Sequence, residues 1–360
     1  MKNICFLNGD MSRSGGTERV TAIIANELSK IDEFNVHILS ISNSSNTSFF
    51  ELNEGVSHNR ILADENINFK KQYVNVVKGI RKYIKVNDID VLIDVDVICD
   101  LFSIPATRFT KTKLISWEHF HFYENNGSRL RSIARKLSEK YSDYIITLTE
   151  KDKSNYIENL NVSNKIECIY NPITKVNEDS CDIYAKQILS VGRLTYQKGF
   201  DMLCEVANKV LNDNPDWKWV ILGEGEDRAL IESKIKEYKL EGRFILEGNV
   251  SNVDDYYKSS SLFVMTSRFE GLPMTLLEAK SYGLPIVSFD CLTGPSDIVT
   301  DDKNGYLVEL GDINKMYKQI NGLINNEKLL NTFKDNSKID IGKFELKSVL
   351  YKWIELLKEV

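Results

Sequence analysis

The sequence predicts an α/β protein with two Rossmann-like, doubly wound domains, and three observations lead to this prediction. Short β-branched runs alternate with helical patterns, the alternation pauses once near the middle, and 360 residues suit two domains of about 150 residues each. Strands that alternate with helices form parallel sheets covered on both faces. Such sheets bind ligands beyond the carboxyl ends of their strands, so we expect the active site in a cleft between the domains.

The first domain is assigned to residues 1–175. Its predicted strands are short runs rich in β-branched and aromatic residues: Asn3–Leu7, Asn35–Ile41, Asp90–Ile93, Lys113–Trp117, Tyr144–Leu148 and Lys165–Ile169. A low-complexity stretch, Ser42–Ser48, predicts a polar loop. The alternation pauses at Tyr170-Asn171-Pro172 and a polar stretch over 175–182, so we place the domain boundary near 172–184.

The second domain is assigned to residues 183–344. Its predicted strands are Gln187–Val191, Trp217–Leu222, Arg243–Leu246, Leu262–Met265, Pro285–Ser288 and Gly305–Val308. The remaining tail has helical patterns only. Its last segment, Glu345–Lys358, is long enough to return to the first domain, so we expect residues 345–360 to pack there.

The composition excludes several classes of protein. A formal net charge of −6 gives no overall attraction for nucleic acid, so a bound polyanion needs a local cluster of donors. The six cysteines are scattered without metal-ligand spacing, which indicates neither a zinc site nor a disulfide framework. The first apolar run is too short for a signal peptide, and no window is apolar enough to span a membrane. We therefore expect a cytoplasmic protein.

The strongest motif is residues 267–279, SRFEGLPMTLLEA, directly after a predicted strand. Gly271 permits a tight turn and Pro273 suits the start of a helix, whose first N–H groups lack partners within the helix. Such a helix start binds phosphate. Glu278, one turn further on, would accept hydrogen bonds from ribose hydroxyls, and Glu270 would face the group beyond the phosphates. The alternative is an ordinary helix start with one solvated and one half-buried glutamate.

A second motif follows the first strand of the second domain, at residues 190–199, SVGRLTYQKG. Gly192 and Gly199 bracket a loop that carries Arg193 and Lys198. An arginine fork and a lysine point charge together suit a diphosphate leaving group. The alternative is that both cations are ordinary surface residues.

Two further motifs lie in the first domain. The loop Asn8–Arg19 is not G-x-G-x-x-G, which disfavours a nicotinamide-dependent oxidoreductase, but Gly15 and Gly16, with a Thr cap, would let the backbone approach a substrate closely. The other motif, ISWEHFHF, is a strand that runs out into a loop, and it contains His119 and His121. Either histidine could hydrogen-bond a sugar hydroxyl, because both point the same way on an extended chain. The alternatives are a plain strand-to-helix turn and a structural histidine.

Taken together, the motifs resemble the retaining glycosyltransferases of family 4, which have the GT-B fold. The resemblance rests on Ser14-Gly15-Gly16, Arg193-Leu194 with Lys198-Gly199, Leu222-Gly223-Glu224-Gly225, and Phe269-Glu270-Gly271-Leu272-Pro273 with Glu278, and it runs over nearly the whole chain. Ser142–Glu150, Asn171-Pro172-Ile173 and Thr293–Ile298 are also similar. The Thr-Gly-Pro-Ser-Asp segment is typical of members that extend bacterial surface polysaccharides such as lipopolysaccharide or capsule with UDP-linked hexoses or N-acetylhexosamines.

The resemblance implies a role for each candidate residue. Arg193 and Lys198 would meet the diphosphate, Glu278 the ribose and Glu270 the donor sugar. The donor site would further include Gly15, Gly16, Gly223, Asn249, Val250, Gly271, Leu272, Pro273, Met274 and Thr275, with the base near 248–250 and the distal phosphate on the amides after Gly271. His119 would complete the site from the first, acceptor-binding domain.

The expected reaction is a retaining transfer from a UDP-sugar to a glycan acceptor, for which a polyprenyl-diphosphate-linked saccharide is the expected form. Catalysis would stabilise the negative charge on the leaving oxygen, which would also take the acceptor proton. Because Arg193 and Lys198 replace the usual cation, we expect no required metal or other cofactor. Asp88-Ile89-Asp90 and Asp94-Val95-Asp96 resemble a metal-binding D-x-D but are better explained as strand ends.

Two basic segments suggest contact with a membrane surface. Phe69–Val86 has six Lys or Arg, no acidic residue and apolar residues at helical spacing, and Ser128–Lys140 is also basic. Such helices rest on anionic lipid, which here would be the cytoplasmic face of the inner membrane. The alternative is a solvated helix face packed on the sheet.

Two other functions fit the same motifs. A nucleotide-sugar epimerase of the GT-B fold would convert UDP-sugars without an acceptor, and a non-catalytic module would bind UDP without turnover. The intact set of Arg193, Lys198, Glu270 and Glu278 argues against the module. The expected class is a hexosyltransferase.

Overall fold

A computed structural model describes residues 1–43, 45, 47–63, 69–125, 127–162, 165–173 and 181–360; of residues 69 and 70 it describes the backbone. These residues form two units. Unit 1 comprises Met1–Pro172 and Leu346–Val360, and unit 2 comprises Ile173–Glu345. Parts of the predicted polar loop at 42–48 and of the predicted boundary at 172–184 lie outside the described residues.

Unit 1 is a parallel sheet whose strands alternate with helices. The strands are β1 (Lys2–Asn8), β2 (Phe34–Ser42), β3 (Val56–Leu62), β4 (Val91–Val95), β5 (Lys113–Trp117), β6 (Tyr144–Thr147) and β7 (Ile166–Cys168). The helices are α1 (Gly16–Leu28), α2 (Phe69–Val86), α3 (Asp100–Thr107), α4 (Arg129–Tyr141) and α5 (Glu150–Asn159), with a 3₁₀ turn at Val97–Cys99.

The strand order in unit 1 is β3-β2-β1-β4-β5-β6-β7, and all strands are parallel. The order reverses between β1 and β4, which makes the loops after these strands the expected ligand position. Central strands are mostly apolar, as in β4, where all five residues are buried and four of them are Val, Leu or Ile. A sheet covered on both faces requires this composition.

Unit 2 repeats the same architecture. Its strands are β8 (Gln187–Val191), β9 (Lys218–Leu222), β10 (Phe244–Gly248), β11 (Leu262–Met265), β12 (Ile286–Asp290) and β13 (Gly305–Glu309), in the parallel order β10-β9-β8-β11-β12-β13. The helices are α6 (Phe200–Asp213), α7 (Arg228–Glu237), α8 (Val253–Lys258), α9 (Met274–Ser281), α10 (Pro295–Ile298), α11 (Ile313–Ile324) and α12 (Glu327–Asn336), with 3₁₀ turns at Tyr196–Lys198 and Ile341–Phe344.

The last helix, α13 (Leu346–Glu359), belongs to unit 1. Trp353 is fully buried there, with its ring 4.9 Å from that of Trp117 and 6.3 Å from that of Phe6. Lys2 also donates to the carbonyl of Leu357 at 2.7 Å. The predicted return of the terminal helix to the first domain is confirmed.

The prediction of two doubly wound sheets is confirmed, with one error. Strand β3 was not predicted. Only Val56 of its seven residues is buried, and it lies at the edge of the sheet, so its sequence, VSHNRIL, lacks the apolar run of a central strand. None of the helices in the described part of the chain is both long and apolar enough to cross a membrane.

Candidate active site

The loops after β8 and β11 flank the point where the strand order of unit 2 reverses. The loop after β8 carries Arg193 and Lys198, and the segment after β11 carries Glu270 and the start of α9. Loops that leave neighbouring parallel strands at their carboxyl ends share one edge of the sheet. The fold therefore brings the two strongest sequence motifs together at the expected ligand edge.

An ion pair joins the two loops. Lys198 Nζ lies 2.6 Å from Glu270 Oε1, and their side chains are 21% and 7% exposed. The methylene groups of Lys198 pack 3.5 Å from the Cβ position of Gly192. Arg193, by contrast, is exposed and forms no ion pair within the described part of the chain. One cation is thus held beside a carboxylate, and a second is available to an anion.

Further hydrogen bonds lock the two loops together. The Arg268 N–H donates to Gln197 O at 2.7 Å, and the Gln197 amide donates to Phe269 O at 3.1 Å. The Arg268 guanidinium donates to both carboxylate oxygens of Asp201, at 2.8 and 2.6 Å, and stacks 4.0 Å from the ring centre of Tyr196. Sequence reasoning assigned no role to Arg268 and missed Asp201, because the pair spans 67 positions.

The first N–H groups of α9 have no partner within the helix. Pro273 is the N-cap rather than a residue of the first turn, and its carbonyl accepts from the N–H groups of Leu276 and Leu277 at 3.1 and 3.3 Å. The N–H groups of Met274 and Thr275 lie too early in the helix to have a carbonyl acceptor within it. Thr275 Oγ1 is buried without a hydrogen-bond partner among the described residues. This helix start therefore offers N–H groups and a hydroxyl to a phosphate.

Glu278 lies one turn into α9 and is held by a tyrosine. Tyr257 OH donates to Glu278 Oε2 at 2.8 Å. Tyr257 itself is 1% exposed and stacks on Tyr282 with ring centres 5.2 Å apart. The rigid tyrosine fixes the direction of the Glu278 carboxylate. Sequence reasoning predicted Glu278 and missed Tyr257.

Gly223 is required by close packing of the loops after β8 and β9. Its φ is +135°, and a Cβ there would lie 2.0 Å from Gly192 O. The N–H of Gly223 donates to Gly248 O at 2.8 Å, which connects the loop after β10. Asn249 and Val250 follow directly, the first exposed and the second half-buried. The loops after β8, β9 and β10 therefore pack side by side, and we call them the rim of the site.

Thr293 and Gly294 support the turn that carries Glu270, and sequence reasoning gave them no role in the site. Thr293 Oγ1 is buried and donates to Glu270 O at 2.6 Å. Gly294 has φ +97°, and a Cβ there would lie 2.6 Å from Pro273 Cδ and 2.8 Å from Gly271 O. The loop after β12 therefore packs directly on the turn and fixes its conformation.

In unit 1, the loop after β1 differs from the prediction. Gly15, not a threonine, is the N-cap of α1, and it makes no side-chain cap hydrogen bond. Thr17 lies inside the helix and donates to Glu18 Oε2 at 2.7 Å. That oxygen lies 2.2 Å from the Cβ position of Gly15, so the Glu18 side chain occupies the space beside Gly15. Burial raises the pKa of Glu18. Nothing lies within 4 Å of the Cβ position of Gly16.

His119 and His121 are both buried in unit 1. Strand β5 ends at Trp117, so the assumption of an extended chain through His121 was wrong. The His119 ring lies 4.3 Å from that of Trp117, and burial lowers its pKa to about 3. Among the described residues, His119 Nε2 and His121 Nδ1 have no hydrogen-bond partner. A neutral imidazole with an unused nitrogen can bond a hydroxyl.

A buried ionic cluster surrounds these histidines. The carboxylate of Glu118 accepts from Arg135 Nε at 2.7 Å, from Tyr156 OH at 2.8 Å and from the Phe120 N–H at 3.1 Å. Burial alone would raise the pKa of Glu118, but Arg135 and Arg131 outweigh it and hold the pKa below its ordinary value. The cluster fixes the residues on both sides of His119.

The aspartates of the D-x-D patterns lie at strand ends. Asp94 is the fourth residue of β4, and Asp96 directly follows this strand. Arg131 donates to both carboxylate oxygens of Asp96, at 2.8 and 2.6 Å. Across the described residues, no group of three or more His, Cys, Asp or Glu side chains is arranged to hold a metal ion.

Two family models match the chain. Residues 14–175 match the model described as Glycosyltransferase Family 4, and residues 183–340 match the one described as Glycosyl transferases group 1. Together the two matches cover residues 14–340 except for 176–182.

Three similar proteins align with almost the whole chain. An uncharacterized glycosyltransferase of Haemophilus influenzae is 33% identical and covers 99% of this chain and 100% of its own. The amylovoran biosynthesis glycosyltransferase AmsD of Erwinia amylovora is 29% identical, with coverages of 99% and 100%. A Campylobacter jejuni α-1,4-N-acetyl-D-galactosaminyltransferase, whose name gives a PP-undecaprenol-linked acceptor, is 26% identical, with coverages of 100% and 99%.

Two solved structures have the same fold. The lipopolysaccharide outer core galactosyltransferase WaaB, in apo form, superposes with a TM-score of 0.80 at 23% identity, over 99% of this chain and 100% of its own. A mutant of S. aureus TarM, in complex with fondaparinux, α-GlcNAc-glycerol and UDP, has a TM-score of 0.70 at 26% identity and covers 78% of this chain and 59% of its own.

Proposed function

The chain belongs to the glycosyltransferases that pair a family 4 domain with a group 1 domain, and from this membership we propose a retaining hexosyltransferase that takes a hexose or N-acetylhexosamine from a UDP-sugar. The family and the GT-B fold predicted from the motifs are confirmed. The proposed acceptor is a growing bacterial surface glycan.

One observation supports the donor site above all others: the ion pair between Lys198 and Glu270 lies beside the open start of α9. Lys198 Nζ is 2.6 Å from Glu270 Oε1 and still partly exposed, so a diphosphate can approach the ammonium. Exposed Arg193 adds a second charge. The N–H groups after Gly271 take the distal phosphate, where the helix dipole adds about 0.3 to 2 kcal/mol per charge.

The nucleoside lies along the rim beside the phosphates. Glu278, directed by Tyr257, accepts from the ribose hydroxyls. The base lies on the backbone near Asn249 and Val250. UDP is preferred to GDP because the structure of TarM, at 26% identity, contains UDP.

Transfer proceeds on one face of the sugar. The bond from the anomeric carbon to the leaving phosphate oxygen breaks, the acceptor oxygen attacks from the same side, and the leaving oxygen takes the acceptor proton. Arg193, Lys198 and the amides of α9 stabilise the charge on that oxygen, and one well-placed donor contributes about 2.7 to 4 kcal/mol. Glu270 positions Lys198 and the donor sugar and is not a nucleophile.

Unit 1 binds the acceptor, and His119 contacts it there. The neutral imidazole has an unused nitrogen that suits a sugar hydroxyl. A polyprenyl-diphosphate-linked saccharide is the proposed acceptor, because the Campylobacter relative is named for a PP-undecaprenol-linked one. Gly16 leaves room for an acceptor beside α1.

Contact with the cytoplasmic face of the inner membrane would bring such an acceptor to the enzyme. On α2, Lys78, Lys82 and Lys85 are exposed along one side, while Val76, Ile80 and Ile84 are buried on the other. On α4 the basic surface is smaller than its sequence suggests. Arg131 and Arg135 are buried in ion pairs, so the available cations are Arg129, Lys136 and Lys140.

A thermal-shift panel tests the donor site. UDP and UDP-hexoses should raise the Tm of the protein, while GDP and GDP-sugars should have a smaller effect. In the Glu278→Gln variant the shift with UDP should shrink, but that with inorganic pyrophosphate should remain, because Glu278 is proposed to contact the ribose and not the phosphates. Stabilisation by GDP-sugars alone, or equal losses with both ligands, would contradict the assignment.

A further inference from the structure

Phe109 occupies a backbone position that its side chain disfavours. Arg108 has φ −56° and ψ 130°, Phe109 has φ +64°, and the Thr110 N–H donates to Thr107 O at 2.9 Å. These values describe a type II turn, whose third position requires a positive φ and favours Gly or Asn. A bulky aromatic residue there is an outlier.

The Phe109 side chain gains no compensating burial. It is 90% exposed, more than any other large hydrophobic residue among the described residues. Burial therefore cannot explain why this turn contains a phenylalanine. Residues held in disfavoured conformations concentrate at functional sites. The Phe109 ring is therefore a candidate for a functional contact.

Arg108 lies between Phe109 and a second aromatic ring, that of Tyr141. The Arg108 guanidinium lies 5.4 Å from the centre of the Phe109 ring and 5.1 Å from that of Tyr141, and Lys140 Nζ lies 5.3 Å from the Tyr141 ring. Tyr141 is 37% exposed. The nearby Lys140 and Arg108 charges lower the pKa of its hydroxyl. Lys111 is also exposed.

The patch continues along α4. Leu130 and Ile133 are 51% and 48% exposed, and Lys136 and Lys140 lie on the same side of the helix at spacings of three and seven residues from Ile133. We call Arg108, Phe109, Leu130, Ile133, Lys136, Lys140 and Tyr141 the aromatic-cationic patch. Of the acidic residues nearby, Asp143 is paired with Lys113 at 2.9 Å, and Glu139 accepts from the Asn161 N–H at 2.8 Å.

We propose that the aromatic-cationic patch seats unit 1 on an anionic phospholipid bilayer, with the Phe109 ring as its inserted anchor. The inference rests on the membrane contact of the proposed function and names its apolar component. An apolar ring gains free energy at the boundary between headgroups and acyl chains, while Arg and Lys attract lipid phosphates. The patch combines both chemistries, and its positive charge complements an anionic lipid surface. The turn holds the ring clear of the protein, as insertion requires.

Vesicle flotation tests the anchor. Full-length protein is mixed with vesicles of phosphatidylcholine alone or of equimolar phosphatidylcholine and phosphatidylglycerol. The wild type should float with the anionic vesicles. Phe109→Gly should reduce partitioning roughly tenfold, because it removes one inserted ring, and should not lower the Tm, because glycine suits a positive φ. Phe109→Trp should retain flotation. Tyr351→Ala is the matched control: Tyr351 is 63% exposed on α13 and outside the patch.

Each other outcome would count against the anchor. Wild-type flotation by Phe109→Gly, or equal losses in the Gly and Trp variants, would overturn it, the second because another aromatic ring at the same position would then fail to anchor the protein. Equal flotation with neutral and anionic vesicles would overturn the choice of an anionic surface. If the wild type binds no vesicles, the patch serves another partner, and the membrane contact of the proposed function fails with it. The rise in Tm of the Phe109→Gly variant with UDP tests the donor site separately, because that measurement involves no vesicles.

Discussion

Two ion pairs of nearly equal length differ in what surrounds them. In unit 1, Arg135 Nε lies 2.7 Å from Glu118 Oε2, and the side chains are 2% and 0% exposed. In unit 2, Lys198 Nζ lies 2.6 Å from Glu270 Oε1, with exposures of 21% and 7%. Tyr156 and the Phe120 N–H also donate to Glu118, so its pair is enclosed. The ammonium of Lys198 is partly open.

Exposure separates a structural charge pair from one that can bind a ligand. An enclosed pair in a low-dielectric interior contributes to the folded state only as a complete set, and losing one member leaves a buried charge. In a half-open pair, water can replace a missing partner, so the loss of stability is smaller. The exposed charge can also bind a ligand anion while the protein stays folded. We therefore expect changes at Glu118 to affect stability and changes at Lys198 to affect turnover.

Glu118→Ala should have the largest effect. It leaves Arg135 buried without its carboxylate, so the free energy of unfolding should fall by about 3 to 5 kcal/mol. Urea denaturation followed by circular dichroism measures this change. Glu232→Ala is the control, because Glu232 pairs with Arg228 on the surface of α7 at 48% exposure. It should change stability by less than about 0.5 kcal/mol. Similar values for the two variants would contradict the distinction.

Lys198→Ala should lower turnover by roughly a hundredfold to a thousandfold, the loss expected when one charge-stabilising donor is removed. Its Tm should fall less than that of Glu118→Ala, because Lys198 is 21% exposed and water can take its place beside the Glu270 carboxylate. Steady-state kinetics with a UDP-sugar and thermal unfolding measure the two effects. Lys236→Ala, on the exposed side of α7, provides a matched lysine control. Near-normal turnover in Lys198→Ala would refute the phosphate assignment.

The strands could be predicted from the sequence wherever burial determines the pattern of apolar residues. Strand β8 matches its predicted bounds because a buried parallel strand is mostly apolar, as Ile188, Leu189 and Val191 are here. Strand β3 was missed because an edge strand needs only one buried face, and the exposed positions of VSHNRIL hide the period. The sequence of α4 also suggested a larger basic surface than the helix has. Arg131 and Arg135 point into the core because Asp96 and Glu118 lie there, and no local pattern reveals partners on other elements.

The candidate site followed from sequence only where one short segment carries the chemistry. The loop with Lys198 and the turn with Glu270 are contiguous motifs and could be found. The residues that support them could not. Arg268 reaches Asp201 across 67 positions, and Thr293 reaches Glu270 across 23. Such contacts depend on the order of the strands in the sheet, which sequence spacing does not encode.

Thr293→Val should have an intermediate effect on the half-open pair. It removes a buried hydroxyl that donates to Glu270 O at 2.6 Å and leaves that carbonyl unbonded, which costs about 1 to 3 kcal/mol. We expect kcat to fall about tenfold, because the turn that carries Glu270 loses its support. Thr293→Ser keeps the hydroxyl and should retain most of kcat. Equal losses in both variants would show that packing of the methyl group matters and not the hydrogen bond.

The smallest expected effect on turnover concerns the enclosed cluster beside Glu118. Burial lowers the pKa of His119 to about 3, so the imidazole should stay neutral between about pH 5 and pH 8. Its NMR signals, assigned with His119→Asn, should not titrate in that range, and turnover should show no inflection from this residue. The folded state then binds fewer protons than the unfolded state between about pH 3 and pH 6.5, so the free energy of unfolding rises with pH through that window, and His119 adds no further change above it. An inflection of turnover near pH 6.5 that disappears in His119→Asn would show instead that the ring is charged during the reaction, and the cluster around Glu118 would then be part of catalysis.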